Sequence, residues 1–100
     1  DRDMANERFA SIWDAIEDTP EEAANMRLRS KLMMILGERV KSWNVSQAEA
    51  GRRLGLTQPR VNDLLKGRIS KFSLDALVNL STHAHYRIDI SLVEDETAPA

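Results

Sequence analysis

No cysteine occurs in this 100-residue chain, which excludes a disulfide framework and any thiolate metal site. Long apolar runs are missing too: none approaches the roughly 18 residues that a membrane-spanning helix needs. The opening stretch DRDMANERF has no apolar core of the signal-peptide kind, so a cytoplasmic location is expected. There is no glycine-rich phosphate loop and no nucleophile elbow around a serine. Nothing therefore points to an enzyme or to a cofactor. His83 and His85 in "HAH" have no third ligand nearby, and two imidazoles alone make a poor metal site. A global positive excess is also lacking, since 14 basic residues stand against 16 acidic ones for a net charge of −2.

That mean hides an asymmetry. Asp1, Asp3, Glu7, Asp14, Glu17, Asp18, Glu21 and Glu22 crowd the start, against only Arg2 and Arg8. Arg52, Arg53, Arg60, Lys66, Arg68 and Lys71 fill the middle, where Asp63 is the one acid between Arg52 and Lys71. A surface that meets a polyanion is governed by its local field more than by net charge. With 42% hydrophobic and 30% charged residues, the composition is that of one small globular domain rather than a disordered chain.

The pattern reads as all-α, a bundle of four to five helices with one strand at the end. "ERFASIWDAIED" can form a short amphipathic helix with Phe9, Ile12, Trp13 and Ile16 on one stripe, or an extended arm. Thr19 caps the next helix, Pro20 takes its first position, and Glu22 can close a capping box. Leu28, Leu32, Ile35, Leu36, Val40 and Trp43 then recur at helical spacing to about Asn44, with Met26, Met33 and Met34 filling gaps in the same core. Ser46 and Glu49 make a second capping box before a helix that ends near Leu54, and Gly55 supplies the positive φ of a sharp corner. Thr57 caps a third helix, Pro59 lies in its first turn, and Gly67 closes it. Ser73 caps "LDALVNLSTHA", with Phe72 and Leu77 placed as a hydrophobic staple. "YRIDISLVE" alternates Tyr86, Ile88, Ile90 and Leu92 with polar residues, the period of a strand. A lone strand needs a partner, and the same strand of a second copy is the simplest one.

Two short helices joined by a glycine corner make the helix-turn-helix pattern. Gly51 falls where the helices cross, and Val61, Leu64 and Leu54 are placed to pack between them. On a helical wheel Pro59, Asn62, Asp63 and Lys66 face away from that packing, with Gln58 and Arg60 on the flanks. "SQAEAGRRLGLTQPRVNDLLKG" resembles the helix-turn-helix of the lambda-repressor-like, or Xre, family. The longer stretch from "DTPEEAANMRLRSKL" through "TQPRVNDLLKGRISKFSLDALVNL" resembles its HigA-type antitoxin branch, and the likeness spans roughly residues 12–93. Gly51 departs from it, because alanine is usual there. Asp63 is a second departure, since its charge would repel phosphates unless it accepts a hydrogen bond from a cytosine amino group.

The resemblance implies a DNA-binding repressor, the antitoxin of a type II toxin–antitoxin pair, that acts on a palindromic operator in its own operon. It implies that Gln58, Pro59, Arg60, Asn62 and Asp63 approach base edges in the major groove. Gln47 and Thr57, at the two helix starts, and Lys66, Arg68 and Lys71, around the following loop, would meet phosphates. The partners implied are double-stranded DNA, a second copy through Tyr86, Ile88, Ile90 and Leu92, and a basic RNase-type toxin, with no membrane. The expected organisation is an acidic arm or short helix over 1–18, the DNA-binding domain over 19–84, a dimerisation strand over 85–94 and a disordered tail over 95–100. Two other readings stand beside it: an interaction module that neutralises a toxin or acts as a scaffold without reading DNA, and a stand-alone phage-type repressor.

Overall fold

A computed structural model describes residues 19–97; the helix or arm expected over Glu7–Asp18 lies outside them. Four helices follow in order: α1 Pro20–Ser42, α2 Gln47–Leu54, α3 Gln58–Leu65 and α4 Leu74–His83, with a single 3-10 turn at Ile69–Lys71 before α4. α1 begins where the sequence placed it. Thr19 is extended, its hydroxyl accepts from the Glu22 N–H at 3.1 Å, and Pro20 needs no partner for a missing N–H. Glu21 and Glu22 sit in the first turn and Arg39 and Lys41 in the last, the charge order that the helix dipole favours. α1 stops as Asn44 turns left-handed at φ 54°, a conformation asparagine tolerates.

The core is shared by all four helices. Met33, Leu36 and Val40 of α1 meet Ala50 and Leu54 of α2, Val61 and Leu64 of α3, and Phe72, Leu77, Leu80 and Ala84 around α4. Phe72, Leu36, Leu54, Leu64, Leu77 and Val61 are the largest fully buried side chains, and each contributes on the order of 1.5–3 kcal/mol relative to exposure. Phe72 and Leu77 flank the Ser73 cap, whose hydroxyl accepts from the Ala76 N–H at 3.1 Å, as the staple pattern requires.

Two expectations need correction. Leu28 and Ile35 are 48% and 37% exposed. The buried arc of α1 runs from Leu36 through Val40 and Met33 to Gly37, and Leu28 and Ile35 lie about 80–100° beyond Leu36 on the other side, outside it. The strand expected through Tyr86, Ile88, Ile90 and Leu92 is also not formed, since residues 86–95 carry no regular structure. A strand exists only as part of a ladder, and among the described residues no second strand offers one.

Candidate nucleic-acid interface

The corner between α2 and α3 is built from the backbone outward. Ser46 caps α2 by accepting from the Glu49 N–H at 3.1 Å. Gly55 ends it at φ 70°, and the Leu56 N–H then donates back to the Gly51 carbonyl at 2.8 Å. A β-carbon on Gly51 would lie 2.5 Å from the Leu56 carbonyl oxygen. The close approach expected at Gly51 is therefore to the turn itself, with the Val61 side chain second at 3.4 Å. Val61 and Leu64 are buried beneath α3. This fixes the opposite face outward.

On that outward face Gln58, Pro59 and Lys66 are exposed and Asn62 is half-buried. Among the described residues, the side chains of Gln58, Asn62 and Lys66 have no hydrogen-bond or ion-pair partner. Thr57 occupies the N-cap position but makes no side-chain cap bond, unlike Ser46 and Ser73. The bond that Ser46 and Ser73 accept comes from the third residue of their helices; Arg60 in that place gives none to Thr57, which is exposed at the start of α3.

Arg60 and Asp63 are engaged differently. The Arg60 guanidinium lies over the Phe72 ring, 4.0 Å from its centroid, and Nη1 donates to the Lys71 carbonyl. Asp63 accepts from Arg68 Nη1 at 2.7 Å, and the Arg68 N–H donates to the Asp63 carbonyl at 3.0 Å. The Asp63 side chain is 16% exposed and that of Arg68 47%. So the one acid in the basic stretch is matched by a cation, and its repulsion of phosphates is largely cancelled. Lys71 is exposed beside them.

At the start of α2, next to Gln47, the Glu49 carboxylate does not turn back to complete a capping box. It accepts from Arg52 Nε at 2.8 Å and from Arg53 Nε at 3.3 Å. The Arg52 hydrogen bonds, with Arg53 behind them, hold its pKa down to about 2 and push that of Arg52 up. Arg53 also lies 5.2 Å from the Trp43 ring centroid. Both arginines thus have an acidic partner before any phosphate arrives.

Sequence reasoning missed the supports behind this surface. Arg29 of α1 donates to the Phe72 carbonyl at 3.0 Å, and Phe72 carries Arg60 on its ring. Neither pairing leaves a local sequence signal, because the partners are 43 and 11 or 12 residues apart. Of the residues expected at a dimer edge, Tyr86 lies under the Arg39 guanidinium at 4.4 Å. Ile88, Ile90 and Leu92 project into solvent, at 42%, 83% and 94% exposure.

No helix among the described residues is long and apolar enough to cross a membrane. Nor, among them, does any group of three or more His, Asp or Glu side chains come together as metal ligands. No curated protein matches the chain. A family model described as a helix-turn-helix domain matches residues 15–93, which takes in all four helices and the turn between α2 and α3. The chain belongs to the helix-turn-helix domain family, whose fold is that of DNA-binding regulators.

Proposed function

We propose that the protein is a sequence-specific transcriptional repressor that binds a palindromic operator as a homodimer and serves as the antitoxin of a type II toxin–antitoxin pair. The observation that carries the DNA-reading part is the outward face of α3: polar side chains without partners, bordered by Lys66, Arg68 and Lys71. In this reading the face carrying Gln58, Pro59 and Asn62, flanked by Arg60 and Asp63, enters the major groove. Gln47 and Thr57 at the helix starts, with Lys66, Arg68 and Lys71, meet the phosphates on either side. The alternative, a toxin-neutralising or scaffolding module that does not read DNA, predicts no salt-dependent binding of DNA by this face.

The exposed apolar residues Ile88, Ile90 and Leu92 favour pairing with a second copy, which supplies the ladder that one chain lacks. Two α3 helices would then lie about 34 Å apart, on half-sites about 10 base pairs from centre to centre. The antitoxin role rests on the HigA-type resemblance and implies a basic RNase-type toxin. Its test is a neighbouring basic reading frame whose growth arrest is relieved when this chain is co-expressed.

The decisive experiment is the salt dependence of binding to DNA upstream of the protein's own gene. Three cations per protomer, about six per dimer, give a log–log slope near −5. A slope near zero on that DNA and on random duplex alike would overturn the DNA-reading function. Truncation after Arg87 keeps the Arg39–Tyr86 contact and removes the proposed ladder. It should yield a folded monomer by sedimentation, and a truncated chain that still sediments as a dimer refutes that interface.

A further inference from the structure

Within the DNA-reading function just proposed, and resting on it, we infer that base recognition is carried by the two carboxamides Gln58 and Asn62 and is directed at adenine, whereas Arg60 and Asp63 are positioning residues. By residue type alone Arg60 is the strongest candidate for a base reader, because arginine pairs in bidentate fashion with guanine. The structure gives its guanidinium another task. One flat face lies on the Phe72 ring, and Nη1 is committed to the Lys71 carbonyl. To reach a base, Arg60 must leave both. Phe72 is 1% exposed, held from α1 through its own carbonyl by Arg29, and fixed in the core, so it cannot follow.

Asp63 is committed in the same way. Its carboxylate is mostly covered and bonded to Arg68, and its carbonyl holds the Arg68 N–H. Together the two contacts tie the end of α3 to the segment Arg68–Phe72, which carries Arg68 and Lys71, two of the three cations placed for phosphates. Arg60 and Asp63 therefore set where the phosphate-binding loop stands. Reading is left to the side chains on α3 that are free to move.

Those are Gln58 and Asn62, one helical turn apart on the same face. Each can donate to N7 and accept from N6 of the same adenine only through a carboxamide, which carries both a donor and an acceptor. Four residues advance about 6 Å along the helix axis, against about 3.4 Å per base pair along a DNA strand. The two adenines should thus lie within about two base pairs of one another in each half-site. Pro59, exposed between them, has no donor and suits the methyl group of a thymine. The expected half-site is accordingly centred on A·T pairs.

The test is selection from a randomised duplex pool with the full chain, repeated with Gln58→Ala, Asn62→Ala, Arg60→Met and Asp63→Asn, each variant first checked for a cooperative thermal transition. Wild type should enrich a palindrome with adenine at two nearby positions per half-site. Each carboxamide variant should flatten one of those positions, a loss of about 5- to 150-fold in discrimination. Arg60→Met keeps an apolar stem on Phe72 but cannot pair with guanine. It should leave every preferred base as in wild type while weakening selected and random duplexes by one common factor. Asp63→Asn, which removes an acid and frees Arg68, should also leave every preferred base unchanged and shift selected and random duplexes by one common factor. A guanine lost from the motif with Arg60→Met, or a cytosine lost with Asp63→Asn, would overturn the inference, as would a wild-type motif without adenine. If Arg60→Met fails to fold, Asp63→Asn and the two carboxamide variants still decide. Absence of any motif or salt-dependent binding by wild type would instead remove the proposed function itself.

Discussion

Alanine in place of glycine is expected to have opposite effects at two positions of this chain. Within a helix the change gains about 1 kcal/mol, because glycine gives up more backbone freedom on folding. At Gly37 nothing lies within 4 Å of the added β-carbon. The site opens on a pocket of about 300 Å³ between α1 and the end of α3, lined by Met33, Met34, Leu64, Leu65 and Ile69. The full gain should appear there. At Gly51 the same carbon would stand 2.5 Å from the Leu56 carbonyl oxygen. Leu56 cannot retreat freely, since its own N–H is bonded to the Gly51 carbonyl at 2.8 Å. Overpacking of this kind costs about 1–3 kcal/mol, so the propensity gain is offset or exceeded and the net effect falls between about 0 and 2 kcal/mol destabilising. Propensity cancels when the two variants are compared, and the difference measures the clash alone. In a domain of this size 1 kcal/mol moves Tm by about 4–8 °C. Thermal melts followed by circular dichroism should place Gly37→Ala above wild type and Gly51→Ala at least about 4 °C below Gly37→Ala. Equal rises in Tm would refute the idea that the turn excludes a side chain at Gly51.

Two further outcomes follow from side-chain contacts at the helix starts. Glu49 ionises in the folded protein near pH 2 against an ordinary value of 4.5, chiefly through its hydrogen bonds to Arg52. A depressed folded pKa adds stability that is complete above about pH 4.5 and is lost as pH falls toward 2; carboxyl-carbon NMR titration should give a midpoint well below 4.5, and Arg52→Ala should raise it. An unchanged midpoint in that variant would show that Arg52 is not the cause. Ser46→Ala should cost about 1 kcal/mol of stability in chemical denaturation, while Thr57→Ala, which loses no cap bond, should cost only a few tenths. Thr57→Ala should instead weaken DNA binding, and a large stability loss there would mean that its hydroxyl caps α3 after all.

What was legible in the sequence was whatever is written locally. Thr19, Ser46 and Ser73 each announce a helix start, Gly55 a corner, and the Val61–Leu64 spacing a buried face, because each acts on residues no more than four positions away. The helical wheel put the outward face of α3 correctly for the same reason. Two kinds of information escaped. Leu28 and Ile35 obey helical spacing as well as Leu36 does, and periodicity cannot say how wide a core-facing stripe is until the neighbouring helices are in place. The engagements of Arg60 and Asp63 escaped more completely, since residue type alone makes arginine and aspartate on an exposed helix look like readers of guanine and cytosine. Whether such a side chain is available depends on Phe72 and Arg68, which approach only after the chain has folded back through the 3-10 turn. The assignment proposed for the two carboxamides rests on the same fold by elimination: if α3 reads DNA, its charged side chains are already used to hold the next loop, and the uncharged ones remain to choose the bases.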